Sequence, residues 1–188
     1  MRKLSLFIAG VVMATSAFAA DLPKKKQTDL GLYVTATEAY EMKTADEKVF
    51  LIDVRTRAEV NFLGMPTVAD ANIPYFTPAD WMTFDDKKQV FKLEPNADYM
   101  MALAEFLEEN GGDKNSTILL MCRSGSRSAK AVNLMAKVGY KNVYSVTDGY
   151  EGDKSKEKET KGHRIVNGWK NSGLPWSYKL SRSKMYDL

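Results

Sequence analysis

The sequence is poor in two residues on which many sites depend, because its 188 residues include only one cysteine, Cys122, and one histidine, His163. A single cysteine excludes an internal disulfide, and one cysteine with one histidine provides too few soft ligands for a zinc cluster. A Ser-His-Asp triad would have to use His163, which lies in a charge-rich segment with no nucleophile or acid paired to it by a motif. We therefore expect His163 to be an exposed loop residue, and we predict neither a metal site nor a cofactor.

The sequence also lacks a large net charge, because 27 Lys and Arg residues oppose 24 Asp and Glu residues. At the N-terminus, Arg2 and Lys3 precede an apolar run that ends in Ala17-Phe18-Ala19, which is the pattern of a secretory signal peptide. The run is shorter than the roughly 20 apolar residues that span a bilayer. We predict cleavage after Ala19, export to the periplasm, and no membrane span after cleavage.

Loss of residues 1–19 removes Arg2 and Lys3 and lowers the formal charge from +3 to +1. We expect the remaining basic run, Lys24-Lys25-Lys26, to belong to a solvated leader rather than to a binding patch. The near-neutral mature chain therefore gives no electrostatic reason to predict binding to nucleic acid.

Apolar runs rich in β-branched residues alternate with helical patterns along the chain, which predicts an α/β domain with a mostly parallel sheet. The predicted strands are Val49–Val54, Ala71–Pro74, Thr117–Met121 and Lys141–Val146. The predicted helices are 34–45, 96–110 and 128–137, with a short one at 167–170. The expected inward residues are Met100, Leu103, Ala104 and Leu107 in one helix and Ala131, Val132, Leu134, Met135 and Val138 in the next.

The domain is predicted to span residues 34–176, after a leader at 20–33 and before a mobile tail at 177–188. Two segments read as insertions: an irregular, aromatic-packed one near 75–95 and a charged, solvated one near 151–164. We expect the aromatic residues Trp169, Trp176 and Tyr178 to form a hydrophobic clasp that closes the domain.

Cys122 lies where a predicted strand ends and a predicted helix follows, and ligands of parallel α/β sheets bind at this end of the strands. Backbone amides of the loop and the helix N-terminus would converge there on an anion. A thiol in such a loop would deprotonate more readily than a free cysteine and act as a nucleophile without a histidine base. The alternative is that Cys122 is an inert, buried side chain.

The residues after Cys122 have the chemistry of an anion-binding loop. Gly125 allows a backbone conformation that other residues rarely adopt. Hydroxyl donors and planar positive charge would come from Ser124, Ser126, Arg123 and Arg127.

These features resemble the rhodanese family, the thiosulfate:acceptor sulfurtransferases. Cys122-Arg-Ser-Gly-Ser-Arg127 looks like its six-residue active-site loop, and Leu51–Arg55 with Glu59 looks like an earlier strand and its Arg/Glu pair. Val143–Gly149 with Trp169 resembles the last strand and the closing segment. The resemblance covers roughly residues 34–176 and implies a sheet of about five parallel strands, flanked by helices on both faces.

The resemblance also implies a ping-pong transfer in which Cys122 accepts a sulfane sulfur as a persulfide held by the loop amides. Arg123 and Arg127 would orient a small anionic donor such as thiosulfate, and cyanide, a small thiol or a periplasmic protein thiol would accept the sulfur. A structural ion-pair group near the site is expected from Asp53, Arg55 and Glu59.

This chain departs from the family where the usual Gly-His-Ile-Pro-Gly-Ala turn is replaced by Gly64–Pro74. Two functions other than catalytic sulfur transfer are considered. A non-catalytic sulfur-carrier or protein-binding module would have the same loop. A cysteine phosphatase or arsenate reductase would need a Cys-x5-Arg loop, and here Arg127 comes one position too early, with Ser128 at the required place.

Overall fold

The computed structural model describes residues 22–78 and 83–186 of the chain. Its strands are β1 (Tyr33–Val34), β2 (Phe50–Asp53), β3 (Met65–Pro66), β4 (Ala71–Asn72), β5 (Phe76–Pro78), β6 (Phe84–Asp85), β7 (Val90–Phe91), β8 (Leu93–Pro95), β9 (Ile118–Met121), β10 (Val143–Val146) and β11 (Trp176–Ser177). Its α-helices are α1 (Ala36–Ala45), α2 (Arg57–Leu63), α3 (Tyr99–Glu109) and α4 (Ser126–Lys137).

Five strands form the main sheet in the order β1-β10-β9-β2-β4, and each neighbouring pair runs parallel. Leu119 of β9 lies at its centre, opposite Leu51 on one side and Tyr144 on the other. All residues of β2 and β9 are buried, as continuous apolar runs in a parallel sheet should be. The predicted five-stranded parallel sheet is confirmed.

Helices cover both faces of this sheet. Helices α3 and α4 pack on one face, where Leu103 and Val132 join Ile52 and Leu120 in a buried apolar cluster. Helices α1 and α2 pack on the other face, in a second cluster that contains Ala39, Val60, Leu51, Leu119 and the fully buried Trp169. Alternate residues of β2 and β9 enter opposite clusters because side chains alternate along a strand.

Helices α1 and α2 begin at reciprocal capping boxes, in which the threonine hydroxyl accepts from the glutamate N–H and the glutamate carboxylate accepts from the threonine N–H. The pairs are Thr35 with Glu38 and Thr56 with Glu59. The second box matters for the site because it places Glu59 on the first turn of α2.

The helical faces differ from those predicted. In α3, Tyr99 and Ala102 are buried and Ala104 is exposed, because the Tyr99 ring turns inward and stacks edge-on against Tyr75 at 5.2 Å. Helix α4 begins at Ser126, before the predicted start, and Val138 follows its end with 43% of its surface exposed. The pattern at 167–170 forms turns rather than the predicted helix.

The segment near 75–95 is more regular than predicted. Strands β5 and β8 form one antiparallel pair, and β6 and β7 form another. The Phe84 and Phe91 rings stack edge-on at 5.4 Å but are 44% and 61% exposed, so they pack on each other rather than on the main core. Trp81, which the sequence placed in this aromatic segment, lies outside the described residues.

Both flanking segments contact the domain, although Lys24 and Lys25 of the leader are exposed as predicted. Lys26, in a 3₁₀ helix at Lys24–Lys26, is 5% exposed, and its ammonium lies 2.7 Å from the Asp153 carboxylate. In the tail, β11 pairs with β3, and Met185 forms a parallel bridge with Asn72 at the β4 edge. The edge strand has free backbone groups, which explains why the tail binds there.

The predicted signal peptide, residues 1–19, lies outside the described residues. Within residues 22–78 and 83–186, no helix has the length and apolar character needed to cross a membrane.

Candidate active site

Cys122 follows β9 directly, at the carboxyl edge of the sheet and immediately before the first turn of α4. The residue is 1% exposed, and the N–H of Gly125 donates to its Sγ across 3.2 Å. The N-terminal end of α4 therefore faces the thiol, and this end carries the positive partial charge of the helix. A backbone N–H donor and the end of a helix are thus both directed at Sγ.

The loop from Cys122 to Ser128, called the Cys122 loop below, is held by the residues that follow β10. The N–H groups of Tyr150 and Glu151 donate to the carbonyls of Cys122 and Arg123 at 2.8 and 3.0 Å. These bonds fix the backbone at the start of the loop, in which the Gly125 N–H donates to the sulfur.

Two glycines let the Cys122 loop pack against the end of β10. Gly125 has φ +92°, and a Cβ added there would lie 2.1 Å from the Thr147 carbonyl oxygen. A Cβ added at Gly149 would lie 2.5 Å from the Cys122 carbonyl oxygen and 2.7 Å from the Ser124 nitrogen. Neither position has room for a side chain, so both glycines are required for the observed loop geometry.

Two buried serines lie beneath the thiol. The Ser128 Oγ is 3.6 Å from the Cys122 Sγ and donates to the Gly125 carbonyl at 3.0 Å. The Ser145 Oγ of β10 lies 3.0 Å from the Ser128 Oγ. This serine pair was not predicted from the sequence. Ser128 stands out there only as the residue that follows the loop, and no motif near Ser145 indicates the contact.

The structure divides the expected ion-pair group of Asp53, Arg55 and Glu59 in two. Asp53 and Arg55 form a fully buried pair with 2.6 Å between Nη2 and Oδ2, and Nη2 also donates to the Gly64 carbonyl at 2.8 Å. The guanidinium stacks 3.7 Å from the centre of the Tyr150 ring. Burial favours the neutral form of Arg55, but the charge and hydrogen bonds of Asp53 outweigh this and raise the pKa of Arg55.

Glu59 pairs with Arg127 of the Cys122 loop instead of with Arg55. Its two carboxylate oxygens accept from Arg127 Nη1 and Nη2 at 2.6 and 2.5 Å. Burial alone would raise the pKa of Glu59, but the hydrogen bonds and charge of Arg127 lower it to about 2. This bidentate pair fixes the Arg127 side chain, and with it the loop, to α2.

The outer part of the loop presents polar groups to solvent. Arg123 is exposed, and Ser124 and Ser126 are half-buried. Arg164, from the segment near 151–164, donates from Nη1 to the Gly152 carbonyl at 2.5 Å. Burial lowers the pKa of Arg164, and the like charge of Arg123 lowers it further. Arg164 belongs to the same electrostatic environment, and no motif identified it.

His163 is exposed, as predicted, and its carbonyl accepts from the Ser155 N–H at 2.7 Å. No cluster of three or more His, Cys, Asp or Glu residues suitable for a metal ion occurs in the described ranges. The residues around Sγ are thus hydrogen-bond donors and hydroxyls, an arrangement that can hold a thiolate or a sulfur anion bonded to it.

Comparison with known proteins agrees with this geometry. The profile of the rhodanese-like domain family matches residues 35–156. An uncharacterized protein of Rickettsia conorii is 32% identical over 145 residues, which cover 77% of this chain and 96% of that protein. The crystal structure of Rv0390 from M. tuberculosis superposes with a TM-score of 0.55 at 26% identity, covering 78% of this chain and 96% of that one.

The chain belongs to the rhodanese-like domain family, so the resemblance expected from the sequence is confirmed. Another relative, the chloroplastic rhodanese-like domain-containing protein 4 of Arabidopsis thaliana, is 25% identical over 91% of this chain, which spans 31% of that longer protein. Family membership supports a sulfurtransferase-type enzyme.

Proposed function

We propose that the protein is a periplasmic sulfurtransferase that moves a sulfane sulfur from a small anionic donor such as thiosulfate, through a persulfide on Cys122, to a thiol or cyanide acceptor. The observation that carries the proposal is the position of the Cys122 Sγ, which receives a backbone hydrogen bond at 3.2 Å at the N-terminal end of α4. This environment stabilises an anionic sulfur without a histidine base.

In the first step, the Cys122 thiolate attacks the outer sulfur of thiosulfate. A bond forms between Sγ and that sulfur, the sulfur–sulfur bond of thiosulfate breaks, and sulfite leaves with the bonding electron pair. In the second step, an acceptor thiolate or cyanide attacks the terminal sulfur, and Cys122 leaves as a thiolate. Both steps are nucleophilic displacements at sulfur and consume no external oxidant or reductant.

The residues of the loop contribute to the reaction by stabilising the negative charge on the sulfur. The Gly125 amide and the end of α4 stabilise the negative sulfur, and hydrogen bonds to charged groups each contribute about 1.5–3 kcal/mol. Ser128 supplies a hydroxyl 3.6 Å from Sγ. The ion pair between Glu59 and Arg127 fixes the loop against α2, which preorganises these donors.

The geometry disfavours phosphate or arsenate chemistry. Such loops use an arginine to bind the oxyanion, and the Arg127 guanidinium is already held by both Glu59 oxygens. A non-catalytic sulfur carrier would form the same persulfide but would not turn over with a small acceptor.

The test is to incubate the purified protein with thiosulfate and measure its intact mass. We expect a gain of one sulfur atom, released by cyanide as thiocyanate, and Cys122→Ser should remove both signals. No mass gain and no thiocyanate would contradict the proposal, whereas a stable mass gain without thiocyanate would favour the carrier. An aryl phosphate assay tests phosphatase activity, and an N-terminal sequence that begins at Ala20 after expression in a bacterial host would support export.

A further inference from the structure

The ion pairs of the Cys122 loop leave one of its two arginines without a partner. Arg127 is held by Glu59, as described above. Arg123 is exposed, and no hydrogen bond or ion pair joins its guanidinium to another residue in the described part of the chain. Of the two loop arginines expected to orient a donor, Arg123 is therefore the one whose guanidinium has no side-chain partner among the described residues.

A second guanidinium reaches the same region from the segment near 151–164. The Arg123 carbonyl accepts from the Glu151 N–H at 3.0 Å, and the neighbouring Gly152 carbonyl accepts from Arg164 Nη1 at 2.5 Å. Because these contacts involve adjacent residues, the structure anchors Arg164 beside the start of the Cys122 loop.

The Arg164 position is fixed by its backbone as well as by its side chain. It forms an antiparallel bridge with Lys154, and its carbonyl accepts from Asn171 Nδ2 at 3.1 Å. Gly152 is itself tightly packed, since a Cβ there would lie 1.7 Å from the Asn167 carbonyl oxygen. The guanidinium donates to the Gly152 carbonyl through Nη1 alone, so in the described part of the chain its other N–H donors have no hydrogen-bond partner.

The charged groups around Arg164 favour the binding of an anion. Burial and the like charge of Arg123 lower the pKa of Arg164, while Glu151, Asp153 and Cys122 raise it. Of the two carboxylates, Asp153 already pairs with Lys26 at 2.7 Å. Two guanidinium groups that repel each other near a nucleophile become favourable when an anion binds between them.

We propose that Arg123 and Arg164 together form the binding site for the anionic sulfur donor, with Arg164 in the role that the sequence had assigned to Arg127. The ligand class is a small, doubly charged oxyanion that carries a sulfane sulfur, because two guanidinium forks match the oxygens of such a group. The identity of the donor rests on the proposed function, but the excess of positive charge beside Cys122 does not.

The positive potential at Cys122 can be measured without sulfur transfer. The measurement compares the alkylation rates of two reagents, anionic iodoacetate and neutral iodoacetamide. Both react with the Cys122 thiolate, so the ratio of their rates cancels the reactivity of the sulfur and reports the local potential. Arg164→Gln should lower the ratio of iodoacetate to iodoacetamide about three- to tenfold at low salt, and the difference should shrink in high salt. Lys161→Gln, an exposed charge in the same segment, is the matched control and should leave the ratio within about twofold.

Steady-state kinetics with thiosulfate test the binding role. Arg164→Gln should raise the KM for thiosulfate about tenfold or more and change kcat less, and Arg123→Gln should act in the same direction. Arg164→Lys keeps the charge and a donor for the Gly152 carbonyl. It should therefore retain the alkylation ratio but still raise the KM, because an ammonium cannot form the planar fork.

The outcomes separate this inference from the proposed function. If the wild type transfers sulfur but Arg164→Gln alters neither the ratio nor the KM, the Arg164 site is wrong and the function stands. If Arg164→Gln lowers the ratio while the wild type transfers no sulfur, the anion site stands and the function is wrong. Should Arg164→Gln fail to fold, Arg164→Lys decides, because an unchanged KM for that variant would overturn the site.

Discussion

The floor and the rim of the Cys122 loop differ in how completely their polar groups are paired. The name loop floor is used here for three side-chain pairs, which are Asp53 with Arg55, Glu59 with Arg127, and Ser128 with Ser145. The loop rim consists of Arg123, Ser124, Ser126 and Arg164, none of which is fully buried. In the floor each side chain has a protein partner at 3.1 Å or less, whereas in the rim only Arg164 makes a side-chain hydrogen bond among the described residues.

This difference assigns the positioning of Cys122 to the loop floor and the binding of substrate to the loop rim. A floor whose charges pair with one another holds the nucleophile in one geometry and has little capacity left to bind a substrate. A rim with free donors can bind and select an anion, and it tolerates substitution because it contributes little to folding. Substitutions in the floor should therefore affect stability and rate together, while those in the rim should affect KM and leave stability nearly unchanged.

The largest effect is expected from the nucleophile itself. Cys122→Ser should reduce thiocyanate formation from thiosulfate and cyanide to the background rate, because a serine hydroxyl is neither acidic enough nor a sulfur acceptor. The free energy of unfolding, measured in urea, should change by less than about 1.5 kcal/mol because the replacement is small and keeps a polar atom near the Gly125 N–H. A collapse of stability would instead favour the inert buried thiol.

The next largest effect tests the packing of the Cys122 loop against the end of β10. Gly125→Ala places a methyl group 2.1 Å from the Thr147 carbonyl oxygen at φ +92°, so the loop must move. We expect persulfide loading to fall about a hundredfold and the free energy of unfolding to fall about 1–3 kcal/mol. Gly111→Ala is the matched control, since Gly111 also has positive φ, +72°, but open space around it. An equal loss of loading in both variants would show that the effect is not local to the loop.

A moderate effect is expected from the pair that joins the loop floor to α2. Glu59→Gln keeps the capping box but removes the charge facing Arg127, and it should lower the free energy of unfolding at pH 7 by about 1–3 kcal/mol. Because the pKa of Glu59 is about 2 in the folded protein and near 4.5 unfolded, the stabilisation is complete above pH 4.5 and is lost as pH falls toward 2. Urea unfolding across this range should show the wild type and the variant converging at low pH.

The control for this substitution is Glu38→Gln. Glu38 forms the equivalent capping box of α1 but has no ion pair with any described residue. Its replacement should change stability by less than about 0.5 kcal/mol with little pH dependence. A similar pH-dependent loss in Glu38→Gln would assign the effect to the capping box rather than to Arg127.

The smallest rate effect is expected from the serines under the thiol. Ser128→Ala removes a hydroxyl 3.6 Å from Sγ and should slow persulfide loading about three- to tenfold. The same variant leaves the buried Ser145 hydroxyl without its partner. The double variant Ser128→Ala/Ser145→Ala should therefore be at least as stable as Ser128→Ala, because both partners are gone. Strictly additive losses of stability in urea would contradict a direct coupling between the two hydroxyls.

The sequence was sufficient for the sheet and for the position of Cys122 between a strand and a helix, because both depend on local patterns. Continuous apolar runs at β2 and β9 and the Gly/Ser/Arg loop after Cys122 can be read within a few residues. The partner of Glu59 could not be predicted from the sequence, because Arg55 and Arg127 both carry a positive charge. Only the way α2 and α4 approach each other selects Arg127. Arg164 was hidden for a similar reason, because its place beside Arg123 depends on a turn through Gly152.

The contacts of the flanking segments with the domain could not be predicted, because a polar sequence does not show which of its charged side chains find a partner. Lys26 is buried by its ion pair with Asp153, which lies 127 positions away in the chain. The Lys184 ammonium likewise donates to the carbonyls of Thr67 and Ala69 at 3.0 and 2.7 Å and ties the tail to the domain. A long lysine stem packs well on a protein surface once its charge has a fixed partner, and local sequence does not reveal that partner.

The central claim is that Cys122 carries the transferred sulfur, and peptide mapping after loading tests it most directly. The protein is treated with thiosulfate, digested under non-reducing conditions, and the peptide that contains Cys122 is analysed by mass spectrometry. We expect one additional sulfur on that peptide, removable by cyanide as thiocyanate. An unmodified Cys122 peptide from protein that is folded and free of oxidised thiol would contradict it.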